Sequence, residues 1–334
     1  IEDNINIEDN INIEDNINIE DNINIEDNIN EIYIEDNINE TKEIINNNYI
    51  LDYICDNSRK IFLINMMCMF LFFIVLLTTT ILFNPDLDYL FFINQLSKYI
   101  LVLFIQYVMA FLVIKYNVKV NYTRKVIHMS YFLWPQILDK ELLEYEKNKY
   151  TELWNVWIVL FLLLMISEEI RNIIPFINTM FKAVDRPEDR PYTLIWFSTQ
   201  IIFTLIVLLP FGVYFSRIDE INLIFIPILI NALADGLAEP VGITFGKNKY
   251  KTKACLSSKE YERSYEGSFC VFIVSFIIII CYFRYMIINQ FIFCLMTIPL
   301  LTTFTEAYSP HTWDSPLITF VVCSILCIST LIKE

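Results

Sequence analysis

The apolar residues of this chain come in long blocks rather than in amphipathic stripes, and that feature limits the fold more than any other. Hydrophobic residues make up 55% of the chain and charged ones 19%, so the body is expected to be membrane-embedded. The clearest blocks are Ile61–Phe83, Tyr99–Ile114, Leu153–Ile166, Tyr192–Phe215, Ile221–Ala234, Ser268–Ile288 and Leu317–Ile332. A hydrocarbon core needs about 20 helical residues, and each block reaches that length alone or with its flanks. Two shorter segments, Val126–Leu138 and Phe291–Phe304, are expected to be partial or re-entrant. The fold expected is all-α: a polytopic integral membrane helix bundle of about seven to nine transmembrane helices.

The formal charge of −15 belongs to one end of the chain. Residues 1–43 hold fifteen acidic side chains and one lysine, which leaves the other 291 residues at −1. The acidity therefore says nothing about the partner of the membrane body. Ile-Glu-Asp-Asn-Ile-Asn runs five times from Ile1 to Asn30, and a sixth copy spans Ile34–Asn39. Its odd-position isoleucines would suit a strand, but the repeat has no glycine and would stack like charges. Residues 1–57 are expected to be a disordered low-complexity tail, and residues 58–334 the membrane domain. The eight cysteines form no Cys-x-x-Cys and lie mainly in apolar segments, where core packing is their expected role.

Three polar clusters interrupt the apolar body. The first is Lys115, Lys119, Arg124 and Lys125, leading to His128; Arg124 and His128 share a helix face where they enter the bilayer boundary. The second holds four of the five glycines of the chain, from Gly236 to Gly267. Within it Asp235 and Glu239 are one helical turn apart at the end of the span Ile221–Ala234, and two carboxylates facing one way there need neutralising. A divalent cation is the natural partner, since magnesium takes one or two protein carboxylates and completes its shell with water and phosphate oxygens. Pro240 is expected to limit the helix, while Gly242 and Gly246 allow close backbone approach. Gly242-x-x-x-Gly246 also suits helix packing. Lys247, Lys249, Lys251 and Lys253 follow, then Arg263 and Glu266-Gly267-Ser268. The segment is not a Walker loop, because the first gap is three residues and Asn248 follows Lys247. The third cluster runs from Glu306 through His311 to Asp314.

These residues resemble the phytol, farnesol and dolichol kinases, polytopic enzymes related to the phosphatidate cytidylyltransferases. Tyr122-Thr123-Arg124-Lys125-Val126-Ile127-His128-Met129 looks like that group's Arg-Lys-x-x-His element. Asp235-x-x-Ala238-x-x-x-Gly242-x-x-x-Gly246-Lys247 looks like its nucleotide-site signature, and Glu266-Gly267-Ser268 like its Gly-Ser start of the next helix. The loop Glu306–Asp314 resembles its late acidic loop, with Ser315 in place of the usual Asn. The resemblance covers about residues 99–332. It implies a kinase using CTP and Mg2+ to phosphorylate a membrane-embedded isoprenoid alcohol, giving a prenyl monophosphate and CDP.

In the mechanism expected, a metal held by Asp235 and Glu239 bridges the terminal phosphates. Lys247, Arg263 and Arg124 stabilise the transferred group, and Lys125, Lys249, Gly242, Gly246, Gly267 and Ser268 complete the phosphate site. His128, Glu306 or Asp314 accepts the hydroxyl proton, with His128 ranked first because imidazole titrates near pH ~6.5. A CTP-dependent lipid-phosphate cytidylyltransferase is the alternative. The signature His-Gly-Gly-x-x-Asp-Arg of the CDP-diacylglycerol synthases is absent, since neither His128 nor His311 precedes glycine. A membrane transporter is the second alternative, set back by charge concentrated at helix ends and no visible inverted repeat. The partners expected are a nucleoside triphosphate, the alcohol and membrane lipid, with no nucleic acid. The expected location is an endoplasmic reticulum or plastid-type membrane.

Overall fold

Buried polar residues, more than apolar ones, decide where the helices of this protein begin. The computed structural model describes residues 60, 62–82, 89–139, 151–253, 260–310 and 313–332. Both the repeat tail and His311 lie outside them. Residues 65–334 form one compact unit; of the unit before it, the described part is Lys60 and the opening turn of α1.

The order is α1 (Phe62–Leu82), α2 (Tyr89–Tyr116), α3 (Val120–Ile137), α4 (Thr151–Met165), α5 (Glu168–Ile173), α6 (Pro175–Phe181) and α7 (Thr193–Arg217). Next comes a helical run, Ile221–Phe245, built from a 3-10 turn, α8 (Phe225–Leu229), a π-helical turn (Ile230–Asp235) and α9 (Gly236–Phe245). An antiparallel hairpin, β1 (Lys249–Lys253) and β2 (Glu260–Ser264), leads into α10 (Tyr265–Cys281), α11 (Ile288–Tyr308) and α12 (Asp314–Ser329).

Five segments are long and apolar enough to cross a membrane: Phe62–Leu82, Tyr89–Tyr116, Thr193–Arg217, Ile221–Phe245 and Ile288–Tyr308. Leu153–Met165, Tyr265–Cys281 and Asp314–Ser329 are shorter apolar helices. The protein is thus a largely helical membrane-type bundle. Between 6% and 22% of the apolar window is buried in four of the long segments, against 67% in Ile221–Phe245, which is therefore the central rod. Its Ile226, Ile230 and Ala234 pack with Val271, Ile279, Ile298, Ile318 and Val322 from the three last helices. Helices α7 and α12 run parallel, tied by Gln200 to Ser315 at one level and Tyr214 to Thr330 at another.

Three expectations are corrected. Helix α2 starts at Tyr89, ten residues before the expected apolar block, because Asn94, Gln95 and Lys98 turn inward; Lys98 pairs with Asp139, and Asn94 donates to Asp139 at 2.7 Å. Helix α11 runs its full 21 residues instead of being a partial segment. The helix around Asp235 continues through Pro240 to Phe245 instead of ending. The expected all-α bundle stands, with one two-stranded hairpin among the described residues. Its lysines Lys249, Lys251 and Lys253 recur at period two because they occupy the exposed face of a strand, opposite Glu260 and Glu262.

Candidate functional site

The carboxylates of the central rod arrive at the cavity already neutralised, mainly by side chains from α3 and in part by Arg186 from the loop between α6 and α7. Lys125 on α3 meets Asp235 Oδ1 at 2.8 Å, and His128 Nε2 lies 3.1 Å from Asp235 Oδ2. One turn along, Glu239 accepts from Arg124 at 3.0 Å and Asn121 at 2.7 Å on α3, and from Arg186 at 3.3 Å. The rod can present both acids because a π-helical turn precedes Gly236, whose missing Cβ admits Met129 of α3; a Cβ there would fall 2.5 Å from Met129 Cγ. Such turns are over-represented at functional sites.

Helix α10 closes the second wall. Ser264 caps it by accepting from the Gly267 amide at 3.1 Å, and Gly242 packs against that cap. A Cβ on Gly242 would lie 2.8 Å from Ser264 Oγ, and one on Gly267 would lie 2.9 Å from the Ala238 carbonyl oxygen. Those two glycines are close-approach points between α9 and α10 as well as cavity wall. On the inner face of the hairpin, Thr252 bonds the Ala307 carbonyl at 2.8 Å and Arg263 meets Glu306 at 2.6 Å. Burial opposes the charge on Arg263, but Glu306, Asp314 and Asp235 outweigh it and raise its pKa. At the exposed rim Lys249 meets Glu262 at 2.6 Å, and that hydrogen bond holds the Glu262 carboxyl below its ordinary range.

The result is a cavity of about 470 Å³, within the size range of small-molecule sites. Five cations line it (Arg124, Lys125, Arg186, Lys249 and Arg263), with five carboxylates (Asp235, Glu239, Glu262, Glu306 and Asp314). Gly242, Gly246, Gly267 and Ser268 also line it, and Ser268 bonds the Tyr250 hydroxyl at 2.5 Å. The Nε–H groups of Arg124 and Arg263 are buried and have no acceptor among the described residues. Those two nitrogens are shielded even from water, so the guanidinium atoms a ligand can meet are the terminal nitrogens, held by Glu239 and Glu306.

Most of the residues singled out from sequence converge here, from all three clusters. Lys247 does not: it is exposed and off the cavity, with its backbone amide donating to Glu266 at 3.1 Å. His128 is also off the wall. Its Nε2 is 3.0 Å from the Asn231 carbonyl, which can only accept, so that nitrogen carries a proton and His128 braces Asp235 from behind. Asp235 itself is 1% exposed, in mid-helix instead of at a solvated end. Arg186 was missed by sequence reasoning. It sits in Asp185-Arg186-Pro187-Glu188-Asp189-Arg190-Pro191 between α6 and α7, fixed by Asp189 at 2.7 Å. The signal was that run of alternating charge with two prolines between apolar segments.

Asp314 opens α12. Its Oδ1 accepts from Gln200 and from the Ser315 amide, both at 3.1 Å, and Oδ2 makes no hydrogen bond among the described residues. Beside it, the rings of Trp313 and of Phe203 on α7 meet at a tilt of 40° with centroids 4.6 Å apart, so Asp314 borders both the cavity and an aromatic, membrane-type surface. No group of three or more His, Cys, Asp or Glu side chains is arranged to hold a metal among the described residues. The need for a neutralising cation expected from the sequence is met by protein side chains: Asp235 is engaged by Lys125 and His128 and Glu239 by Arg124, Asn121 and Arg186, so a metal there would have to displace them. No family model, curated protein or solved structure matches the chain.

Proposed function

We propose that the protein is a multi-pass membrane phosphotransferase that moves the terminal phosphoryl group of CTP to the hydroxyl of an isoprenoid alcohol lying in the bilayer. The observation that carries this reading is the cavity at one end of a bundle of apolar helices, where Arg124, Lys125, Arg186 and Arg263 converge from three separate segments. A polyphosphate suits that group of cations, and an alcohol with its chain in lipid brings its hydroxyl to the same border.

Arg124, Lys125, Arg186 and Arg263 hold the phosphates, and their fixed positions stabilise charge that develops on the transferred group. Asp235 and Glu239 would hold magnesium, which when bound supplies further neutralisation of the terminal phosphates. Asp314 takes the hydroxyl proton in place of His128, because its Oδ2 is open beside the Phe203–Trp313 surface and His128 Nε2 already carries a proton. His128 is a positioning residue for Asp235. In this reading nine helical passes, counting Ile221–Phe245 as one, put all three clusters on one face.

The test offers CTP labelled on the γ-phosphate to purified protein with phytol, farnesol, geranylgeraniol and dolichol in turn. Label in the lipid fraction is the expected result. Label released as pyrophosphate, with a lipid phosphate as acceptor, would make the protein a cytidylyltransferase. Label left in CTP across the panel would end the phosphotransferase reading.

A further inference from the structure

Gln200 is 5% exposed, two turns into the apolar helix α7. Its Nε2 donates to Asp314 Oδ1 at 3.1 Å and to Ser315 Oγ at 2.8 Å, and Ser315 Oγ in turn lies 3.4 Å from Asp235 Oδ2. A carboxylate can only accept, so the amide nitrogen and not the amide oxygen faces Asp314. The two hydrogens of one NH2 group thus serve two acids of the cavity, Asp314 directly and Asp235 through a hydroxyl. Asp235, Glu239 and Glu306 are each held by a cation, whereas Asp314 has no ion pair among the described residues. Both of its donors, the Gln200 amide and the Ser315 backbone amide, act on Oδ1, and of the two only Gln200 ties it to another helix.

We propose that Gln200 is a positioning residue for the transfer: its amide holds Asp314 by Oδ1 so that Oδ2 meets the acceptor hydroxyl, and through Ser315 it keeps that carboxylate in register with Asp235. This rests on reading Asp314 as the group that takes the hydroxyl proton. A carboxylate fixed by one oxygen presents the other in a set direction, and a shift of about 1 Å in a reacting group can lower a rate about 10²-fold. Gluing two membrane helices together would be a sufficient reason for a buried amide elsewhere. That task already has a second device between α7 and α12, the Tyr214–Thr330 hydroxyl pair, ~21 Å further along α7 and off the cavity wall. Gln200 differs from it in placing both of its donors at the cavity acids.

The experiment measures transfer of label from γ-labelled CTP to the alcohol of the panel that accepts most, per folded molecule of the detergent-solubilised full chain. Gln200→Met keeps the length and the packing and removes both donors. It should lower kcat at least ~10-fold and leave KM for CTP within ~2-fold, since the cations that hold the phosphates stand on other elements. Tyr214→Phe, which cuts the other tie between the same two helices, should change kcat less than ~2-fold. In an Asp314→Asn background, Gln200→Met should lower the residual kcat less than ~2-fold further, because a residue that acts through Asp314 then has no base to position. Equal losses with and without the Asp314 carboxylate, or a loss in Tyr214→Phe as large as in Gln200→Met, would make Gln200 a packing residue and overturn the proposal. If Gln200→Met does not fold, Gln200→Glu, of the same shape but without donors, takes its place and must show the same dependence on Asp314. No transfer by the wild type would remove the phosphotransferase reading and the role of Gln200 with it, whereas transfer with additive losses removes that role alone.

Discussion

Asp235 carries two burdens that pull a substitution in different directions. It neutralises Lys125, whose side chain is 5% exposed, and in the proposed reaction it would be one of the two carboxylates that hold magnesium. Asp235→Asn should therefore lower turnover at least 10²-fold, about 2.7 kcal/mol of transition-state stabilisation. It should also destabilise the fold, by up to about 3–5 kcal/mol, because the Lys125 charge is left buried without its partner. The double variant Lys125→Met with Asp235→Leu removes both charges and should recover most of that stability while remaining inactive. Thermal melts in detergent together with turnover per folded molecule separate the two effects. Wild-type turnover in Asp235→Asn would take Asp235 out of the reaction. At this scale the sequence was informative where spacing encodes direction: Asp235 and Glu239 at i, i+4, and Arg124, Lys125 and His128 within two turns. It misled at Lys247, where adjacency to Gly246 suggested a phosphate contact. Helix α9 ends at Phe245, and in the turn that follows Gly246 lines the cavity while Lys247 is exposed and off it. Arg186 was hidden because acids and bases cancel in its loop, and only the fold brings it 3.3 Å from Glu239.

The hairpin is the element in which chemistry and solubility divide by strand face. Alternation puts Lys249, Lys251 and Lys253 outward, whereas Tyr250, Thr252, Tyr261 and Arg263 are more buried. Arg263→Met should cost at least ~50-fold in turnover, because it removes a phosphate donor and leaves Glu306 buried without its cation. Lys251→Ala, on the exposed face, should change turnover less than ~2-fold, as a solvated surface charge contributes little. Turnover assays of both variants check this, and equal losses would contradict the division of faces. The period of two was visible in Lys247-x-Lys249-x-Lys251-x-Lys253 and meant a strand, but the surrounding apolar blocks set the expectation of helices throughout. The start of α2 was obscured for the opposite reason. Asn94, Gln95 and Lys98 read as a break in hydrophobicity, while in the fold they are satisfied inward, Lys98 meeting Asp139 and Asn155. Hydropathy scores a residue without its partner, and a buried ion pair needs both.

For the whole molecule, the apolar blocks made a membrane bundle legible, and convergence on one cavity adds a constraint of parity. Phosphate contacts cannot act through about 30 Å of hydrocarbon, so the passes between successive clusters must be even in number. Between Lys125 and Asp235 lie α3, α4, α7 and the rod Ile221–Asp235, which satisfies the rule only if α3 is a full pass instead of the partial segment expected from its composition. Its 18 residues include Arg124, Lys125 and His128, and its low apolarity follows from facing the rod, where those charges meet Asp235 and Glu239. The proposed topology of nine passes would put Lys119 and Lys249 on one face, with Asp219 and Arg284, in the turns after α7 and α10, on the other. Single cysteines at these four positions, in a background with the eight native cysteines replaced, should label accordingly with an impermeant maleimide in sealed vesicles. Labelling of Lys119→Cys and Lys249→Cys from opposite sides would split the cavity across the membrane and sink the single-site reaction. Common labelling of all four would show that α7 and α10 do not cross, and the parity argument would then have to be rebuilt from the cavity outward.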